Sequence, residues 1–146
     1  MQFTTPELLA ITGVSNSVFS QWLNRKHLVL SSGESPGKGN AWLHTPRDVL
    51  QVAVVAALTR LGVPLGRAKL VWFMAVAPAV DVPGGPAPTI LLAPRPDGSD
   101  HDIRVVHGND YGLDAPDAPT AFIALRVELV ARRVGERMDL IKGSAS

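Results

Sequence analysis

Residues 11–29 read ITGVSNSVFSQWLNRKHLV, and the way this stretch folds decides what surrounds it. Gly13 suits the end of a helix, because glycine takes the left-handed backbone of a C-terminal cap without steric cost. Ser15 is placed to cap the next helix. Val18, Phe19, Trp22 and Leu23 recur at helical spacing and make one apolar face. Asn16, Ser17, Ser20, Gln21, Asn24 and Arg25 make the other face, and Lys26 closes it. Amide, hydroxyl and cationic side chains on one helical face match base edges and phosphates. The spacing predicts a helix-turn-helix whose second helix covers about residues 16–26.

Upstream, FTTPELLA (residues 3–10) reads as the first helix, with Thr5 as N-cap and Pro6 in the first turn. A helix of two turns is marginal alone. Packing of Leu8, Leu9 and Ile11 against Phe19 and Trp22 is expected to hold it. Downstream, LVL (28–30) and AWLH (41–44) are short apolar runs around the turn-rich SSGESPGKGN of residues 31–40. They predict a β-hairpin wing with Lys38 near its tip and Trp42 packing against it. Thr45-Pro46-Arg47-Asp48 opens a helix, with Asp48 placed for a weak capping box. That helix runs to Leu61 and stops at Gly62. The next helix, over about 64–77, is apolar nearly all round, which predicts burial on several sides.

Residues 78–88, PAVDVPGGPAP, hold four prolines and two glycines and read as a semi-rigid linker. A strand is expected at 89–93, a turn at Asp97-Gly98 and a returning strand at 103–107. Residues 108–119 form a polar loop with Asp110, Asp114 and Asp117. Residues 121–127 fit either a third strand or the start of a helix. Val130, Val134, Met138 and Ile141 then share one face of a helix over 128–141. The expected fold class is α+β. A mainly helical winged helix-turn-helix (1–77) and the linker (78–88) precede a small β-β-β-α unit (89–146) for dimerisation or effector response.

The chain has 146 residues, 46% of them hydrophobic, which is enough for a packed core. The absence of cysteine excludes disulfides, zinc–thiolate sites and thiol catalysis. No run of about 18 apolar residues is available to span a membrane, and the N-terminus lacks a signal-peptide pattern. A cytoplasmic protein without membrane contact is expected. The net charge of +1 hides an asymmetry. Residues 1–78 carry seven basic and three acidic residues, while 79–146 carry seven basic and ten acidic. A basic half holding the polar helix fits phosphate binding. The acidic half is expected to do another job.

Residues 3–70 resemble the DNA-binding domain of the MerR family. The resemblance rests on the early Gly13-Val14-Ser15 turn, Trp22 within the second helix and Leu28 at its end. It continues through the glycine-containing wing, Thr45-Pro46-Arg47-Asp48-Val49-Leu50, and the connection from Ala57 to Leu65. It implies a winged helix-turn-helix that reads the major groove. Where family members often carry arginine and aromatics, this chain reads Ser20-Gln21-Trp22 in the helix and Trp42 and His44 before the next helix. Phosphate contacts are therefore expected from Arg25, Lys26, Lys38 and Arg47. The family's long dimerisation helix has no counterpart, and the C-terminal part resembles nothing familiar.

The expected function is that of a bacterial or phage transcriptional regulator binding double-stranded DNA, with a homodimer as the expected assembly. Ser17, Ser20 and Gln21 are the base-reading candidates, and Asn16 and Asn24 belong to the same DNA-binding face. RNA polymerase and a small-molecule effector are further candidate partners. Two alternatives remain open: a phage excisionase-like architectural DNA-binding protein, and a protein-interaction or ligand-sensing module that no longer reads DNA. The sequence has no glycine-rich phosphate loop, nucleophile elbow or helical pair of metal ligands. His101 and His107, with Asp100 and Asp102, match no established ligand spacing. No catalytic residue, metal or cofactor is expected.

Overall fold

Threonine, proline and glycine punctuate the N-terminal helices in the computed structural model, which describes residues 1–37, 39–108, 111–112, 114, 116 and 121–143. A two-residue strand β1 (Phe3–Thr4) leads into α1 (Thr5–Thr12). The N-cap of α1 is Thr4 rather than Thr5. Thr4 and Glu7 have the threonine-to-glutamate spacing of a capping box. The Thr4 amide donates to Glu7 Oε1 at 2.9 Å, and the Glu7 amide donates to Thr4 Oγ1 at 3.3 Å. Gly13 ends α1 in the left-handed region, with φ 73°, and its amide donates to Leu9 O. Ser15 caps α2 (Asn16–Asn24) by accepting from the Val18 amide at 3.2 Å.

The fold is α+β, but the predicted hairpin does not form. Residues 28–30 make no strand. β2 (Leu43–His44) pairs antiparallel with β1 instead, in the register Phe3–His44 and Thr4–Leu43. The reason lies in α3 (Pro46–Arg60). Its buried Gln51 takes both backbone groups of Val29: the amide nitrogen donates to Val29 O at 2.9 Å and the amide oxygen accepts from Val29 N at 3.0 Å. Its buried Asp48 takes the amides of Ser31 and Ser32. Side chains thus satisfy the backbone that a partner strand would have served. Lys38, expected at the wing tip, lies outside the described residues.

After Gly62 (φ 92°) the chain enters α4 (Leu65–Val71), a π-helical stretch (Trp72–Val76) and α5 (Ala77–Val80). This segment is less covered than its composition predicts. Trp72 and Val76, four residues apart, are fully buried, whereas Leu70 and Met74 are 55% and 77% exposed. β3 (Thr89–Pro94), β4 (His101–Val106) and β5 (Ile123–Arg126) form an antiparallel sheet in the order β4-β3-β5. Residues 123–126 are therefore strand, which settles the reading of 121–127. The register puts Ile90, Leu92, Ile103, Val105, Ile123 and Leu125 on one face. Helix α6 (Val127–Gly143) follows without a break. Asp110 and Asp117 of the polar loop lie outside the described residues.

Two compact units result: Met1–Ala56 together with Val130–Ser146, and Ala57–Leu129. The division departs from the expected 1–77 and 89–146. Residues 78–88 separate nothing and lie inside the second unit. Their prolines and glycines shape turns, with Val82 N donating to Ala79 O and Gly85 N to Val82 O. Pro88 O then accepts from Val127 N at 3.2 Å. Most of α6 belongs to the first unit and not to the sheet that precedes it.

Candidate nucleic-acid interface

The base of the candidate site is an aromatic and polar cluster beneath α2. Phe19 is 1% exposed and Trp22 9%. The Phe19 ring meets Trp42 at 6.3 Å and His44 edge-on at 6.1 Å, and Trp42 lies 4.7 Å from His44, centroid to centroid. Trp42 packs against Phe19 and His44 rather than a hairpin wing, with its Nε1 donating to Ser32 O at 3.4 Å. His44 is fully buried and engaged at both nitrogens, Nε2 with Thr5 Oγ1 at 2.9 Å and Nδ1 with Ser32 Oγ at 3.0 Å. Burial pushes its pKa down, against the opposing charge of Asp48.

Asp48 is the hub of this base. Its Oδ1 accepts from Ser31 N at 2.6 Å and Ser31 Oγ at 2.8 Å. Its Oδ2 accepts from Thr45 N at 3.1 Å and Ser32 N at 3.2 Å. Burial pushes its carboxyl up, but the donors from Ser31, Thr45 and Ser32 outweigh that and hold it below the usual carboxylate range. The capping box expected at Thr45 is completed by Asp48 N donating to Thr45 Oγ1 at 3.2 Å. One carboxylate thereby starts α3 and anchors the segment that follows α2.

On this base α2 presents a polar outer face. Asn16, Ser17, Ser20, Gln21, Asn24, Arg25 and Lys26 are all exposed, while Val18 and Leu23 are half-buried. The helix ends two residues earlier than expected, at Asn24, with Arg25 as C-cap. Lys26 N donates to Leu23 O and His27 N to Trp22 O at 2.9 Å. That pair of bonds is a Schellman ending, and it sets Lys26 at φ 58° in the left-handed region that favours glycine. A side chain there costs about 1–2 kcal/mol. Arg47 is on another element, half-buried in the first turn of α3.

Sequence reasoning placed the outer face of α2 correctly as exposed but missed its support. Gln51 and Asp48, three residues apart on the largely apolar helix α3, are the available signal. Buried polar residues at helical spacing need partners, and here the partners are the backbone of residues 29–32. Among the described residues no group of three histidine, aspartate or glutamate side chains is placed to hold a metal ion. No helix among them is long and apolar enough to cross a membrane. Comparison with protein-family models and with characterised protein sequences finds no match. The site's own residues carry its functional reading.

Proposed function

We propose that this chain is a sequence-specific double-stranded DNA-binding transcriptional regulator of bacterial or phage type. In this reading α2 enters the major groove. Ser17, Ser20 and Gln21 meet base edges, Asn16 and Asn24 lie beside them on the DNA-binding face, and Arg25, Lys26, Lys38 and Arg47 meet phosphates. Occupancy of a promoter then blocks or recruits RNA polymerase. A MerR-like lobe over residues 3–70, cytoplasmic location and a homodimer on two half-sites are parts of the same proposal. One lobe of this size buries too little DNA surface for tight specific binding.

The observation that carries the reading is the outer face of α2: five exposed polar side chains on the helix and two exposed cations, Arg25 and Lys26, at its C-terminal end, with the other face held by buried aromatics. Lys26 adds weight. A lysine kept in a backbone conformation that favours glycine has a use for its side chain. The test is random-library selection of duplex DNA, followed by two variants. Ser20→Ala with Gln21→Ala loses about 1–3 kcal/mol of discrimination for each good base contact removed. Lys26→Gly keeps or raises thermal stability, because glycine relieves the left-handed strain, yet weakens binding to every duplex. Failure of the library to yield any bound duplex would overturn the proposal.

A further inference from the structure

We infer that α6 completes the DNA interface, with Arg133 contacting a phosphate at the end of α2 opposite Arg25 and Lys26; this rests on the DNA-binding reading of α2. Helix α6 runs antiparallel along α1. Arg137 Nη1 donates to Ile11 O at 2.6 Å. Five residues further on, Lys142 Nζ pairs with Glu7 Oε1 at 3.2 Å and stands 5.2 Å from the centroid of the Phe3 ring. Moving toward the start of α6 therefore moves toward the end of α1. Arg133 lies one turn before Arg137 on the same flank, about 6 Å along the axis. That step leads from Ile11 toward Thr12, where α1 ends, and so in the direction of the turn of residues 13–15 before α2. Arg133 is exposed.

The groove has a need that α2 does not meet alone. At nine residues α2 is about 13 Å long, close to the roughly 12 Å width of a major groove flanked by two phosphate strands. Its cations, Arg25 and Lys26, sit at one end. Its other end carries Ser15, Asn16 and Ser17, which have no charge. Charge division points the same way. The first unit carries eight basic and five acidic residues, net +3. Its segment 130–146 supplies four of the basic residues and two of the acidic ones, net +2. Two of the three net positive charges of this unit come from its C-terminal segment.

The experiment measures the affinity of the full chain for a fluorescent 30-base-pair random-sequence duplex over a series of salt concentrations. Arg133→Gln is expected to lower the slope of log affinity against log salt by about 0.9, the value of one phosphate contact, with a similar loss on all sequences. Arg133→Lys restores the slope, and Arg104→Gln in the sheet leaves it unchanged. Thermal midpoints of the variants are compared to confirm an intact fold. An unchanged slope in Arg133→Gln, with a reduced slope in Arg25→Gln, overturns the role of α6 and leaves the reading of α2 standing. Unchanged slopes in both overturn the two together.

Discussion

The two units satisfy their buried polar groups in different ways. In the first, side chains do it: Gln51 and Asp48 on α3 take the backbone groups of residues 29–32, and Thr5 and Ser32 take both nitrogens of His44. In the second, main-chain ladders do it: β3 pairs with β4 over six residues and with β5 over four. The Arg67 ion pair with Asp100, and the bond from Arg67 Nη1 to His101 O, then tie α4 to the start of β4. A ladder repeats, so it tolerates the loss of one side chain. A buried polar hub does not, because removing one partner strands the others without water. The lobe that presents α2 is therefore the more exacting of the two. In the proposed DNA-binding role the exposed helix α2 needs a fixed base, and the hub supplies it.

The largest expected effect is at the aromatic base. Phe19→Ala should cost about 3–5 kcal/mol in urea unfolding, because a fully buried ring leaves a cavity between Trp42 and His44. A loss below about 1 kcal/mol would show that the cluster does not hold α2.

Acidification should come next, and it should act on the first unit before the second. The folded pKa of His44 is depressed from its ordinary 6.5, so the unfolded chain binds a proton that the folded chain resists. Stability contributed by neutral His44 is complete above about 6.5 and falls as pH drops from there toward the folded pKa. Asp48 is depressed from 3.8, so its contribution is complete above that value and is lost as pH falls through the folded pKa. Thermal midpoints measured from pH 7 down to pH 5 should fall, and His44→Gln should flatten that fall. An equal fall in the variant would remove His44 as its cause.

The smallest effect is in the second unit. Arg67→Met should change stability by about 1 kcal/mol or less, since a third of the Arg67 side chain is exposed and water screens the ion pair. A loss comparable to Phe19→Ala would erase the contrast between hub and ladder.

Much of the first unit was legible in local chemistry. Gly13, Ser15 and the Thr45–Asp48 box each act within a few residues, so short spacing was enough to place the end of α1 and the starts of α2 and α3. The shift of the first cap from Thr5 to Thr4 came from the choice of partner: Glu7 claims Thr4, and His44 claims Thr5. The wing was misread because apolar runs at 28–30 and 41–44 look like strands wherever their partners are. Gln51 and Phe3 captured them, and both are far away in sequence.

What the sequence determined by itself is the polar face of α2, since helical periodicity sorts residues 16–25 without reference to anything else. Tertiary structure alone decided where the boundary between units falls and which unit α6 serves. A proline-rich stretch marks bends, but only contacts show whether two bodies part there. Here Arg137 and Lys142 return the C-terminal helix to α1, across more than a hundred residues. No local pattern encodes such a contact, because it depends on how the whole chain closes.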